Sequence, residues 1–252
     1  MNDVIAEARK LLAGEAQRLG KFLSADKTRA RAPAVRKLHE IRRMLDQNYA
    51  YTSQAGQDTI VDQLMKLKRG GTFVDVGGYD GVTGSNTLFL EAYRGWTGAL
   101  IEPVPAQLEK AKVARTCPCL GVAIAPTEGE ADFIEISEGY TQMSGLASTY
   151  DAKLLDTVRA DSRHKENVLR VQTKTLSMIL VETGLTNPDF LSLDIEGGEV
   201  ACLESFPFAD HDVKIWSIEN NTSGSEIRNI MEAAGYRLIE FCGPDEIYAK
   251  PG

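Results

Sequence analysis

The run Phe73-Val74-Asp75-Val76-Gly77-Gly78-Tyr79-Asp80-Gly81 constrains this chain more than any other. Thr72–Val76 is a short apolar stretch bounded by glycines and reads as a buried strand. A glycine-rich turn follows, and residues 85–93 then carry helical spacing. Strand, glycine turn and helix in that order open a parallel α/β sheet. Glycine lets the backbone turn tightly at the strand end and lets a ligand approach it closely. The spacing is not that of the dinucleotide GxGxxG turn, and Asp75 sits on the strand just before the turn. An acid there suits a cationic ligand group better than a pyrophosphate. The amino group of S-adenosylmethionine is such a group, so Asp75, Gly77, Gly78, Tyr79 and Gly81 are read as donor-binding.

The rest of the chain repeats the alternation. Strands are expected over residues 98–101, 120–125, 189–193 and 213–218, with helices over 58–68, 106–114 and 226–234 between or beside them. Residues 236–241 and 246–249, joined around Gly243-Pro244, read as a closing antiparallel hairpin. Five parallel strands and a hairpin make a seven-stranded, doubly wound sheet. Residues 130–136 alternate and are expected to pair with 169–173. Residues 137–167 between them show little periodicity and read as an insertion near the active site. Within it, Tyr140, Met143 and Ser144 are read as a flap over the ligand, or equally as a static surface loop. Residues 1–50 differ: two helical patterns, 2–23 and 34–45, flank a polar break. They are read as a helical extension, and 51–252 as the α/β domain.

A second acid adds to the first. Glu102 ends the strand at 98–101, 27 residues after Asp75. In folds that bind dinucleotides or adenosyl groups, an acid at that position accepts hydrogen bonds from ribose hydroxyls. By the same topology Val122 and Ala123, at the end of the third strand, flank the adenine.

Five segments in order resemble the FkbM family of methyltransferases. They are Ser53-Gln54-Ala55-Gly56-Gln57-Asp58, the Phe73–Gly81 run, Ser85-Asn86-Thr87, Gly95-Trp96-Thr97-Gly98 with Ile101-Glu102-Pro103, and Phe190-Leu191-Ser192-Leu193-Asp194-Ile195-Glu196-Gly197-Gly198-Glu199. The resemblance runs from about Ser53 to Glu246 and leaves the first fifty residues outside. It implies a Rossmann-like fold of the class I methyltransferase kind, S-adenosylmethionine as methyl donor, and most often a hydroxyl acceptor on a sugar, glycan or polyketide. It also implies that Gln57 closes over the donor. Ser85 and Asn86 would stand at the start of the following helix. For Ser85, helix capping and ligand binding are equal readings.

The carboxyl edge of the expected sheet is acidic. Asp194 ends the fourth strand, and Glu219 and Asn220 end the fifth. Two carboxylates and an amide oxygen form a hard-oxygen set that suits Mg²⁺ or another divalent cation. The set resembles the metal site of catechol-type O-methyltransferases, without the lysine those enzymes carry after the fourth-strand acid. The other reading is that Asp194 orients donor or acceptor without metal. Methyl transfer needs an aligned acceptor oxygen and removal of its proton. Asp194, Glu196, Glu219 and His164 in the irregular insertion are the candidate bases, with Asp194 first and Glu196 second. A lone loop histidine is otherwise a solvated side chain, and Glu196 or Glu199 otherwise caps the next helix.

Composition narrows the partners. A net charge of -8 disfavours a nucleic-acid-binding body. The first fifty residues are nonetheless basic, with Arg29, Arg31, Arg36, Lys37, Arg42 and Arg43 close together. They read first as a solvated helical face, or else as an arm for an acidic partner or for the domain's own acidic surface. The helices of this extension would pack on their own core or on another subunit. Cys117, Cys119, Cys202 and Cys242 are read as reduced thiols. No run is long enough to span a bilayer, and residues 1–14 lack a signal peptide's apolar core, so a cytoplasmic location is expected. Two other classes fit less well. A nicotinamide-dependent oxidoreductase would want the missing GxGxxG, and a non-catalytic donor-binding module would not need so complete a pocket.

Overall fold

The computed structural model describes residues 3–251; Met1, Asn2 and Gly252, which belong to the expected 1–50 and 51–252 units, lie outside it. The chain begins with two helices, α1 (Val4–Ala25) and α2 (Arg31–Leu45). Asp3 caps α1, its Oδ1 accepting from the amides of Ile5 and Ala6. Leu19, Ala34 and Ile41 form the seam between the two helices, with Leu12, Phe22 and Leu38 around them.

These helices do not stand off in solvent by their basic faces. Arg31 forks onto the Glu240 carboxylate, and the Arg29 guanidinium pairs with Glu246 and donates to the Asn220 carbonyl at 2.7 Å. His39 bridges the Ser53 carbonyl (3.0 Å) and the Tyr49 hydroxyl (2.9 Å). The preferred reading of the basic run as a solvated face is therefore corrected for Arg29 and Arg31. They dock on the acidic surface of the domain itself, where partly desolvated pairing outweighs exposure.

The remaining elements run α3 (Gln57–Leu64), β1 (Thr72–Val76), α4 (Leu88–Arg94), β2 (Thr97–Ile101), α5 (Pro105–Ala114), β3 (Cys119–Leu120), β4 (Ala123–Ile124), β5 (Gly129–Glu138), β6 (Gly145–Leu146), α6 (Ala152–Arg159), β7 (Lys165–Lys174), α7 (Leu176–Glu182), β8 (Phe190–Leu193), α8 (Glu199–Ser205), β9 (Ile215–Glu219), α9 (Glu226–Ala233), β10 (Arg237–Cys242) and β11 (Asp245–Ala249). The central sheet has seven strands in the order β10-β11-β9-β8-β1-β2-β3. β3, β2, β1, β8 and β9 are mutually parallel, and β11 joins β9 antiparallel. The expected doubly wound sheet with its terminal hairpin is this one. Its strands are apolar on both faces, as a sheet covered by helices on both sides demands: Val74, Val76, Leu191, Leu193, Trp216 and Ile218 belong to one buried cluster.

The expected strand over 120–125 is split. Cys119–Leu120 pairs with β2 in the central sheet, whereas Ala123–Ile124 pairs with β7 in a second sheet of order β4-β7-β5-β6. Apolar sequence reports burial but not which neighbour supplies the hydrogen bonds. The pairing of 130–136 with 169–173 is present within the longer β5–β7 ladder. The irregular stretch contains a helix that its periodicity did not announce. α6 places Leu154, Leu155 and Val158 against Ile134 and Ile136. All four cysteines are free thiols. Among the described residues no helix is long and apolar enough to cross a membrane.

Candidate active site

Strand order reverses at β1. The chain steps outward from it to β2 and β3 on one side and later to β8 and β9 on the other. The loops at the carboxyl ends of β1 and β8 therefore part, and in open α/β sheets that crevice receives ligands. A cavity of about 560 Å³ lies there, walled by Val76 and Gly77 from β1, Ile101 and Glu102 from β2, and Asp194 and Glu219 from the far side. Residues 139–144 and Leu146 complete the wall. The Tyr79 hydroxyl lies 2.8 Å from Thr141 Oγ1, which ties the glycine turn to this segment. Tyr140, Met143 and Ser144 thus lie on the cavity wall.

The turn is built for close approach. Gly77 has φ +80°, and a Cβ there would lie 1.7 Å from the Asp194 carbonyl oxygen. Only glycine lets the ends of β1 and β8 meet so closely. A Cβ at Gly78 would fall 2.4 Å from Leu100, and at Gly81 (φ +79°) 2.8 Å from Arg115. Tyr79 follows at φ +50°, which aims its amide at the Glu102 carboxylate (3.0 Å). Glu102 also accepts from the Val104 amide at 2.8 Å. Burial pushes this carboxyl up to about 7, and the two amides hold it from going further. Beside it, Val122, Ala123, Ile124 and Phe133 give the cavity an apolar end.

Asp75 is placed otherwise than its sequence position suggested. It is buried off the cavity wall, accepts from the Thr87 hydroxyl at 2.5 Å and Ser85 Oγ at 3.4 Å, and faces the Arg115 guanidinium at 3.7 Å. Burial raises its carboxyl, and Arg115 opposes that rise. A direct grip on a ligand ammonium, as expected of Asp75, would compete with these partners. The alternation of a strand sends Asp75 to the opposite face from Val76, where a buried arginine already claims it. Ser85 is likewise off the wall. Its Oγ accepts from the amides of Thr87 (3.3 Å) and Leu88 (3.1 Å), just ahead of α4.

Asn86 does reach the cavity. Its Nδ2 donates to Ser192 Oγ at 2.9 Å, and its Oδ1 is buried with no partner. Gln57 lines the cavity from the first turn of α3. The segment before it is fixed by buried Asp58, whose carboxylate accepts from the Thr52 amide (2.6 Å), the Ser53 amide (3.1 Å) and the Ser53 hydroxyl (2.5 Å).

At the polar end, carboxylate oxygens of Asp194, Glu196 and Glu219 come within 4.8 Å of one another. Asp245 from the hairpin shares the wall, accepting from Ser217 Oγ at 2.6 Å. Burial first, then the charges of Asp245 and Glu199, lift Asp194 to about 8. Glu196 and Glu219 are raised well above the ordinary range by burial and by Asp194. Asp245 is raised to about 6 by burial, against its hydrogen bonds. One amide serves two of these acids: Asn221 Nδ2 donates to Glu219 (2.6 Å) and Glu196 (3.1 Å). Glu199 holds the loop instead, accepting from the Ile195 amide at 2.8 Å and the Gly197 amide at 3.0 Å.

Two expected members are elsewhere. Asn220 turns its Nδ2 to Glu246 and the Gly224 carbonyl and its Oδ1 to the Thr222 hydroxyl, while Glu196 stands with Asp194 and Glu219. His164 lies off the cavity wall with its Nε2 on Glu166 at 2.9 Å, and it is not brought to the other candidate bases.

Against known proteins, the family model described as the methyltransferase FkbM domain matches residues 75–238. The chain belongs to the FkbM methyltransferase family. Solved structures similar to it include a methyltransferase FkbM from Methylobacillus flagellatus KT, at 13% identity over 94% of this chain and 57% of that chain, with a TM-score of 0.48. A TehB-like SAM-dependent methyltransferase from Corynebacterium glutamicum gives 12% identity, 84% and 96% coverage and a TM-score of 0.41. A precorrin-6y C5,15-methyltransferase from Geobacter metallireducens gives 11%, 77% and 87%, and 0.44. The chain thus spans 57% of the length of the Methylobacillus protein. Among curated proteins none matches.

The FkbM domain match begins at Asp75, so α1, α2 and α3 lie outside it, yet Arg36, Gln54 and Gln57 line the cavity. Arg36 and Gln54 were not read as site residues, nor were Asp245 and Asn221. Asp245 gave no signal, because an acid after Gly-Pro in a hairpin is an ordinary turn residue.

Proposed function

We propose that this FkbM-family methyltransferase takes its methyl group from S-adenosylmethionine and transfers it to a hydroxyl of a sugar, glycan or polyketide-type acceptor. The observation that carries the donor is the pairing of Glu102 with the apolar slot beside it, at one end of a cavity whose other end is acidic. Asn86 Oδ1 supports the fit, because a buried acceptor without a donor costs free energy until a ligand supplies one. A ligand ammonium does so.

When bound, S-adenosylmethionine supplies a methyl group on a sulfonium that needs no further activation. Glu102 accepts from the ribose hydroxyls with the lone pairs its two amide bonds leave free. Val122, Ala123 and Phe133 take the adenine, and Asn86 takes the ammonium. Gly77 borders the methionine chain with bare backbone. Segment 139–146 excludes water from the wall it covers. Asp194 in its ionised form takes the proton from the acceptor hydroxyl, and a base whose pKa lies near the working pH suits that step. Glu196 and Glu219 accept from neighbouring hydroxyls, a polar lining that matches a sugar better than a flat aromatic.

A divalent cation is not needed for this reading. The trio of Asp194, Glu196 and Glu219 has hard-oxygen donors, but the Asn221 amide already bridges two of them. Transfer of labelled methyl from S-adenosylmethionine to a panel of sugars, glycans and polyketide alcohols tests the function. Label in the hydroxyl ether is expected; label only on nitrogen or carbon sites would refute O-methylation.

A further inference from the structure

The donor proposed above carries an α-carboxylate as well as an ammonium, and the cavity is poorly supplied with partners for an anion. Its charged wall residues are Glu102, Asp194, Glu196, Glu219, Asp245 and Arg36, so Arg36 is the sole cation on the wall among the described residues. The glycine turn, a frequent anion cradle, is spent. Gly77 and Gly78 amides donate to the Ile101 carbonyl (2.9 and 3.1 Å), Tyr79 to Glu102 (3.0 Å) and Gly81 to the Gly78 carbonyl (2.9 Å). The helix after the turn does not begin until Leu88. A carboxylate bound at the methionine end must therefore be met from elsewhere.

The N-terminal segment supplies what the turn lacks. Gln54 lies across the turn: a Cβ on Gly84 would sit 2.5 Å from its Cγ and 2.9 Å from its Nε2. Among the described residues its side-chain amide makes no hydrogen bond, and both it and Arg36 line the cavity. Arg36 is held over the mouth by the docking of α2. One turn earlier, the Ala32 carbonyl accepts from the Gly243 amide at 3.3 Å, next to the Pro244-Asp245 part of the wall. Its present partner is only Glu40, at 3.2 Å, with both side chains about half exposed (52% and 50%). Such a pair is easily exchanged for a ligand carboxylate.

We infer that Arg36, with Gln54, forms a carboxylate subsite at the cavity mouth that binds the α-carboxylate of the donor, so that the N-terminal helices outside the matched FkbM domain complete the donor pocket. The inference rests on the reading of S-adenosylmethionine as donor. A guanidinium matches a carboxylate bidentately, and the described wall offers no other cation.

Calorimetry on the full chain tests it, with S-adenosylmethionine and decarboxylated S-adenosylmethionine as the two probes. The second keeps the ammonium and sulfonium and lacks the carboxylate. Arg36→Ala is expected to weaken the first by about tenfold and leave the second unchanged. Arg36→Lys should recover part of the loss, and Gln54→Ala should show a smaller loss of the same selectivity. Arg36 is exposed, so folding is not at stake. Equal weakening of both probes, or unchanged binding of S-adenosylmethionine with a raised acceptor KM, would overturn the subsite while leaving the donor reading intact. Absence of binding by the unaltered protein would instead remove the donor reading and the subsite with it.

Discussion

The carbonyl oxygen of Asp194 stands 1.7 Å from where a Cβ on Gly77 would lie. The ends of β1 and β8 therefore touch through bare backbone, and the acid that ends β8 is set beside the glycine turn by that contact. Gly77→Ala combines this clash with a left-handed backbone at φ +80°. A loss of about 2–4 kcal/mol of stability is expected, with donor affinity reduced in whatever folds. Chemical denaturation of the variant checks it; unchanged stability would mean that the strands part at no cost.

Asp75 and Arg115 make a second, separable prediction. Arg115 is wholly buried between Asp75 and Glu91. Asp75→Ala leaves the guanidinium short of a charge and should cost about 3–5 kcal/mol of stability. Asp75→Asn keeps the shape and should bind S-adenosylhomocysteine nearly as well as the unaltered protein once folded. A well-folded Asp75→Asn protein with affinity down by more than tenfold would show that Asp75 meets the ligand directly.

The acidic end of the cavity predicts a pH dependence of definite sign. Asp194 is raised from an ordinary 3.8 to about 8, so between those values the folded state holds more protons than the unfolded one. Stability should therefore fall as pH rises from about 4 to about 8. Methyl transfer should rise over the upper part of that range, as Asp194 ionises to act as base. Asp194→Asn should flatten the stability slope and abolish turnover. Thermal unfolding across pH, paired with initial rates, reads both; a rate that is level from pH 6 to 9 would remove Asp194 as the base.

Metal dependence follows from Asn221. Because its amide donates to both Glu196 and Glu219, these carboxylates already have a common hydrogen-bond partner. Initial rates should be unchanged after exhaustive chelation and dialysis. Activity that vanishes with chelator and returns with Mg²⁺ would put a cation at the trio.

Much of the sheet was legible because periodicity and glycine placement report backbone geometry. Thr72–Val76, its turn, the run ending at Glu102 and the hairpin around Gly243-Pro244 all follow from such signals. What periodicity cannot convey is the partner of a strand or the direction of a side chain. Residues 120–125 are apolar throughout, yet Leu120 and Ala123 serve different sheets. Asp75 sits where a ligand acid would, yet a distant residue, Arg115, 40 positions on, takes its carboxylate. Asp245 reaches the cavity only through folding of the terminal hairpin, and Asn221 meets Glu196 and Glu219 only once β9 is in place. Arg36 was visible as one of a basic cluster, but nothing in that cluster distinguished it from Arg29 and Arg31, which bind the domain's own acids.

The central claim is that the cavity between Glu102 and Asp194 holds the adenosyl donor. Isothermal titration of the full chain with S-adenosylhomocysteine tests it most directly, alongside Glu102→Ala. The account predicts saturable one-site binding that weakens by at least about tenfold in the variant, as expected for loss of hydrogen bonds to a charged acceptor. A folded protein that takes up no ligand, or a Glu102→Ala protein that binds as well as the unaltered one, would contradict it.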